Sequence, residues 1–296
     1  MPFQIFVDSS TDMPIELRKE FNIDFFRMGI NVDGKEYHAD INWEEYSHDQ
    51  LYAWVKDPKV KIKTSLIPVT EFIERSTPYL EKGIDILYLG CTSALSGSRG
   101  VFELTKNELQ ERYPDRKIVS VETCRCEMAL GMMAMEVAKL RDQGKSIEEC
   151  VKWVEDNRNF YHQVGSLETL KYLKAQGRVS GAAAFFGDMI SLKPVIMFDR
   201  IGRNYAYTKV QGGMKALKEC MNYMHKNIVE GVTDVVYVGH ALAKERFDWL
   251  KEHIENEFHI PVKEYYIGAI VGISCGPGMY GCYFRGKEVL EEGEDK

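Results

Sequence analysis

The chain has 296 residues, 45% of them hydrophobic, and a net charge of −7, enough for a sizeable core in one large domain or two of ordinary size. Its lysines and arginines are spread out, which leaves no basic stripe for nucleic acid and no polybasic patch for anionic lipid. The N-terminus enters a strand-like run at Gln4 without a basic leader, and no stretch reaches the roughly 18 apolar residues of a membrane span. A soluble, cytoplasmic protein without stable membrane insertion is expected. The seven cysteines, an odd number scattered through apolar segments, fit buried thiols in a reducing compartment better than a disulfide framework.

In chain order, strand-like runs at 4–8, 85–90 and 117–121 are separated by helical patterns at 14–21, 69–83 and 101–113. That alternation predicts a parallel sheet with helices on its faces. Each strand ends in a hydroxyl-bearing turn: Asp8-Ser9-Ser10-Thr11-Asp12, then Thr92-Ser93, then Glu122-Thr123. Open α/β sheets bind ligands outside the carboxyl ends of their strands, so these turns should share one rim. The richest turn, Cys91-Thr92-Ser93-Ala94-Leu95-Ser96-Gly97-Ser98, opens a helix. Free backbone N–H groups and the positive end of the helix dipole favour an anion there, and Thr92, Ser93, Ser96 and Ser98 add donors. No lysine follows Gly97, so this is not the nucleotide-binding P-loop. The same residues also read as a helix cap supplied by Ser96 or Ser98. Thr64-Ser65, between a lysine-rich bend and Pro68, is either another arm of that site or an ordinary loop. Cys124 and Cys126 are either a metal or redox pair or two small residues at a strand-to-helix turn; no second ligand pair accompanies them, and no metal is expected.

A helical run at 146–160 precedes a strand-like 163–165, which places a boundary between an N-terminal α/β domain, 1–160, and a C-terminal α+β domain, 161–296. The second half offers a hairpin through 199–203, helices at 213–228 and 243–258, and strands at 233–238 and 261–270. Residues 167–180 read as one short helix closed by Gly177 and leading to Ser180, with Arg178 at its end, either satisfying carbonyls or facing the domain junction. Gly272-Ile273-Ser274-Cys275-Gly276-Pro277-Gly278 reads as a loop, permitting close backbone approach or a tight reversal between strands. Residues 291–295 form an acidic tail.

Five segments, taken in order, resemble the DegV family of bacterial fatty-acid-binding proteins. The family's Asp-Ser-Ser/Thr-x-Asp-x-Pro matches 8–14, and its Thr-Ser-x-Pro loop matches Thr64-Ser65 with an extra residue before Pro68. Its Ser-Ser-x-Leu-Ser-Gly-Thr matches 92–98 with two hydroxyl swaps, and its Leu-x-Tyr-Leu-x-x-Gly-Gly-Arg-Ile-Ser matches 170–180 with Gln176 for the first glycine. Its Gly-Thr-His-x-Gly-Pro-Gly matches 272–278 with Ser274 at the histidine. The resemblance implies a two-domain fold with a long-chain fatty acid between the domains and no other cofactor. It implies a ligand-binding set of Thr64, Ser65, Thr92, Ser93, Ser96, Gly97, Arg178, Ser274 and Gly276, in which Thr64 and Ser93 hold the carboxylate. Ser274 keeps a donor but cannot become cationic, and Gln211 stands where the family often has a basic residue.

The resemblance further implies a carrier, not an enzyme, that presents the carboxylate to the catalytic subunit of a fatty acid kinase, which makes the acyl phosphate. Burial of about fourteen methylenes supplies on the order of 11 kcal/mol before entropic costs, while the ionised head needs hydrogen-bond donors. The apolar runs 182–190 and, second to it, 129–135 are candidate walls for the tail, or simply core. Two other readings stand beside the carrier. One is a hydrolase or acyltransferase using Ser93 or Ser96 with His240 as base, although the Gly-x-Ser-x-Gly elbow is missing. The other is a lipid store or sensor uncoupled from the kinase.

Overall fold

The structure, a computed structural model, describes residues 3–178 and 192–290. Its N-terminal half is built on a four-stranded parallel sheet in the order β2-β1-β6-β7, made of β1 (Phe3–Asp8), β2 (Ile23–Phe26), β6 (Asp85–Gly90) and β7 (Ile118–Glu122). Every residue of β1 and β6 is buried, the pattern of parallel strands covered on both faces. The covering helices are α1 (Ile15–Glu20), α3 (Val69–Leu80), α4 (Ser98–Arg112), α5 (Glu127–Asp142) and α6 (Ile147–Asn157). Helix α6 starts at a reciprocal cap between Ser146 and Glu149, which satisfies two otherwise orphaned N–H groups.

A small antiparallel sheet, β4-β3-β5, is formed by β3 (Gly29–Val32), β4 (Lys35–His38) and β5 (Ile62–Ser65), with α2 (His48–Lys56) between the last two. Thr64 and Ser65 therefore end a strand, instead of lying in a loop, and pair with Ile30 and Gly29. The Gln176 side chain clips the strand edge, donating to the Ile62 carbonyl at 3.0 Å and accepting from the Thr64 N–H at 3.4 Å.

From Tyr161 onward the chain forms a six-stranded mixed sheet, order β10-β9-β8-β13-β11-β12. Its strands are β8 (Tyr161–Ser166), β9 (Leu192–Phe198), β10 (Asn204–Gln211), β11 (Val236–His240), β12 (Val262–Tyr266) and β13 (Tyr280–Arg285); only β11 and β12 run parallel. Strand alternation divides the side chains between two faces. Val164, Val195, Met197, Cys282 and Phe284 pack with α8 (Gly213–Asn227) and α9 (Lys244–Phe258) into a second core. Tyr161, Tyr265 and Tyr283 instead join the core of the parallel sheet, so the inner face of this sheet looks across the junction at the N-terminal rim.

That inner face carries a furrow. Gly165, Gly281 and Gly239 are in register across β8, β13 and β11. A Cβ on Gly239 would lie 2.4 Å from the Tyr265 ring, and one on Gly281 would lie 2.4 Å from the Tyr283 hydroxyl. The two tyrosines thus fold down into space that any larger residue would fill.

Several expectations change. The run 261–270 ends as a strand at Tyr266, and Ala269–Cys275 is a helix, α10, where a glycine loop was expected. Buried Ala269, Val271 and Ile273 hold it in the core, and Gly272 lets it sit on the Tyr52 hydroxyl, 2.5 Å from where a Cβ would be; tertiary packing overrides glycine's low helix propensity. Only 276–278 remain a turn. The short helix after Leu167 is α7 (Lys171–Ala175). The run 182–190 lies outside the described residues, and 129–135 sits in α5 as buried core.

Candidate functional site

A cavity of about 930 Å³, open solvent at its mouth included, lies between the two halves. Its walls come from four places: the carboxyl rim of the parallel sheet (Ser10, Cys91, Leu95, Ser96, Cys126, Glu127), β5 and its exit (Thr64, Ser65, Leu66), the inner face of the six-stranded sheet (Gln163, Gly165, Ile196, Phe198, Gly281, Tyr283), and α10 (Ile270, Ser274). Leu167, Leu173 and Met279 add to a mainly apolar lining. The mouth is marked by exposure. Ser65 and Leu66 are exposed, and Thr64, Arg178 and Ser274 are half-buried. Deeper in, Glu127, Gln163 and Tyr283 are buried.

The three hydroxyl-bearing turns do meet. Asp8, fully buried, accepts from the N–H groups of Ser10 and Cys91 at 3.0 and 2.8 Å and from the hydroxyls of Ser10 and Tyr88 at 2.5 and 2.9 Å. Burial nevertheless pushes its carboxyl above the usual range, against the pull of those four donors. The Thr92 N–H donates to the Arg125 carbonyl at 2.9 Å, and the Ser93 N–H donates to Glu122 Oε2 at 3.1 Å.

The residues singled out in the sequence separate into two groups. Thr64, Ser65, Ser96, Arg178 and Ser274 line the cavity. Ser96 Oγ lies 3.1 Å from Ser98 Oγ, which accepts the Ile67 N–H at 3.3 Å. The Ser96 hydroxyl donates in that pair and its oxygen accepts the Ser98 N–H at 3.3 Å; because a hydroxyl proton rotates, Ser96 can turn it to an acceptor in the cavity. The Ser274 hydroxyl donates back to the Ile270 carbonyl at 2.8 Å. Thr92, Ser93, Gly97 and Gly276 are not part of the lining. Thr92 is buried and donates to the Gly202 carbonyl at 3.1 Å, and a Cβ on Gly202 would come within 2.1 Å of its hydroxyl. It fastens the β9–β10 hairpin to the rim. Ser93 is exposed, and its Oγ accepts from Arg99 Nε at 3.3 Å. Gly97 caps α4, and Gly276 ends α10 at φ 79 against the Tyr172 ring. His240 is buried, with its Nε2 2.9 Å from Glu264 Oε1 and its Nδ1 accepting the Ala243 N–H at 3.2 Å.

Two charged residues in the Cys124–Glu127 turn escaped notice in the sequence. Arg125 is fully buried and donates to the carbonyls of Tyr161 (2.6 Å), Cys124 (2.6 Å) and Asp199 (2.9 Å), spanning both halves of the molecule. Glu127, 4% exposed, opens α5 at φ 51; Oε2 accepts from the Tyr283 hydroxyl at 2.5 Å and Oε1 has no partner. The signal available was their position, charged residues directly after a rim strand inside an apolar stretch. Burial pushes the Glu127 carboxyl up to about 7, opposed by Tyr283 and Gln163. Because the raised value lies above the unfolded 4.5, the folded state holds the proton more tightly. Its stability is full below pH 4.5 and falls as the pH rises to about 7. Glu127→Gln should therefore abolish a loss on the order of 3 kcal/mol between mildly acidic and mildly alkaline pH. Urea titrations of both proteins across that range test it, and parallel pH profiles would refute it.

A deep, largely apolar cleft at the junction of two sheets in an α/β architecture is the usual setting of a small-ligand site. The chain belongs to the DegV family: the model described as "Uncharacterised protein, DegV family COG1307" matches residues 2–287. A DegV domain-containing protein of Clostridium perfringens, CPE0026, is 31% identical over 287 residues, covering 96% of this chain and 97% of the relative. Among solved structures, "Fatty Acid Binding of a DegV family Protein from Thermus thermophilus" superposes with a TM-score of 0.85 at 26% identity, covering 97% of this chain and 100% of that one. The Streptococcus pneumoniae Fatty Acid Kinase (Fak) B3 protein loaded with linoleic acid shares the fold, with a TM-score of 0.81 at 18% identity over 96% of this chain and 99% of that one. No helix among the described residues is long and apolar enough to cross a membrane.

Proposed function

We propose that the protein binds a long-chain fatty acid in this cavity, with the carboxylate at the mouth and the acyl chain along the inner face of the six-stranded sheet. One observation carries the reading: the cavity is mainly apolar and enclosed, while its partly exposed rim carries the hydroxyls of Thr64, Ser65 and Ser274. The Thermus relative, described as binding fatty acid, supports the same ligand class. In this reading Thr64 and Ser96 hold the carboxylate. Ser96 takes the part that the family resemblance gives to Ser93, since Ser96 faces the cavity and Ser93 faces solvent. Ser65, Ser274 and Arg178 complete the polar mouth.

The protein acts as a carrier and offers the head to a fatty acid kinase. The accessible mouth and the fold shared with the pneumococcal Fak B3 protein favour that step. The hydrolase reading gains no support, because His240 is committed to Glu264 and Ala243. Mass spectrometry of an organic extract of the purified protein, beside native mass spectrometry of the intact chain, tests the carrier. A stoichiometric fatty acid is expected, and a protein that is empty and takes up no added fatty acid refutes it. Acyl-phosphate formation by a fatty acid kinase supplied with the loaded protein then tests the partner step.

A further inference from the structure

The buried end of the cavity holds a polar group that a plain hydrocarbon tail cannot use. Glu127 lines the cavity, its Oε2 is taken by Tyr283, and its Oε1 is buried without a partner. The Gln163 amide beside it is engaged by Cys126, accepting its N–H at 3.0 Å and donating to its Sγ at 3.4 Å. Tyr283 and Gln163 also line the cavity, and all three side chains are buried, unlike the half-exposed Thr64 and Ser274 of the mouth. Oε1 is already shielded from water, and a methylene chain laid beside this cluster would leave that acceptor unfilled, which is unfavourable. A hydroxyl on the chain could donate to Oε1 when the carboxyl is ionised or accept from it when protonated, and burial places that change near neutrality. The backbone of Glu127 is held in the left-handed region, φ 51, where a non-glycine residue is strained. The fold thus tolerates strain while keeping a carboxyl beside Tyr283 and Gln163 in a mainly apolar cavity.

We infer that the preferred ligand is an acyl chain carrying a hydroxyl away from its carboxylate, read by Glu127 together with Tyr283 and Gln163. The inference rests on the fatty-acid reading above and narrows its substrate class. The carboxylate stays at the mouth, and the mid-chain hydroxyl meets the buried cluster.

The test is competitive binding of oleate against ricinoleate, its mid-chain-hydroxylated counterpart, and of stearate against α-hydroxystearate, using delipidated full-length protein. Ricinoleate should bind about tenfold more tightly than oleate, the worth of one buried hydrogen bond, whereas α-hydroxylation, next to the carboxylate, should bring no such gain. Glu127→Leu should bring the ricinoleate-to-oleate preference to about one, and Glu127→Gln, which retains hydrogen-bonding atoms, should keep most of it. Equal affinity of the wild-type protein for ricinoleate and oleate overturns the inference while leaving the fatty-acid reading intact, and needs no variant to fold. An equal gain from α-hydroxylation also overturns it, because the hydroxyl would then be read at the mouth. Binding of none of the four acids overturns both readings.

Discussion

Arg125→Met should lower the stability of the protein by about 3 kcal/mol and its melting temperature by roughly 6–12 °C. The Arg125 guanidinium is enclosed and donates to three carbonyls, one in its own turn, one on β8 and one at the β9–β10 hairpin. Burial, only partly opposed by neighbouring Cys124 and Asp199, lowers it to about 10, so the charge is costly to enclose; what offsets that cost is three charge-assisted bonds to backbone oxygens. Methionine matches the length and the apolar surroundings but removes all three donors, and of the three carbonyls that of Asp199 keeps the Gly202 N–H at 3.1 Å. Lysine should rescue little, since an ammonium lacks the planar fork that reaches several acceptors at once. The loss should also separate the two halves kinetically: hydrogen exchange is expected to quicken first along β8 and the β9–β10 hairpin, where the bonds are lost. A melting temperature within about 1 °C of the parent would show that the bridge adds nothing net.

The second large effect concerns the ligand. Thr64→Val combined with Ser96→Ala should weaken fatty-acid affinity about 100-fold, from two hydrogen bonds to a carboxylate at about 1.5 kcal/mol each. Both substitutions preserve shape closely, so the melting temperature of the delipidated protein should hardly move. Ser93→Ala should change affinity by less than about twofold, because the Ser93 side chain is exposed and engaged by Arg99. Displacement of a fluorescent fatty acid measures all three. Should Ser93→Ala weaken binding as much as the double variant, the carboxylate would have to be held outside the cavity, on the exposed side of the turn.

The rim was legible in advance. Apolar runs ending in Asp8, Thr92 and Glu122 announced parallel strands with polar turns at their carboxyl ends, and the turns are tied together by the Asp8 and Glu122 carboxylates. Which hydroxyl faces the cavity was not legible. Thr92, Ser93 and Ser96 are equivalent as donors, and their assignment depends on how tightly the chain turns between Gly90 and Ser98. In the folded turn Thr92 is drawn to Gly202, 110 residues away, Ser93 is turned outward and Ser96 inward. The helix α10 was hidden for a similar reason. Gly272, with Gly276 and Gly278 just beyond it, argues for a loop, and only Tyr52 and the core, distant in sequence, make Gly272 a useful contact.

The segment between Asn22 and Pro58 offered no expectation in the sequence, and it became β2, β3, β4 and α2. Short strands of four residues are too brief for alternation to stand out from chance. Arg125 and Glu127 were likewise silent, since a charged residue after a strand is ordinarily a solvated turn and nothing local reveals that a second sheet will close over it.

By itself, the sequence determined the α/β alternation, the hydroxyl-rich rim, the mixed second half and, through five ordered motifs, the DegV family, because backbone propensity, hydrophobic periodicity and turn chemistry act between near neighbours in the chain. The tertiary structure decided the cavity, the inward place of Ser96, the glycine furrow of β8, β13 and β11, and the burial of Arg125 and Glu127. Each of these arises where two sheets meet, and the desolvation that gives a buried charge or a missing side chain its consequence exists only once both surfaces are in place.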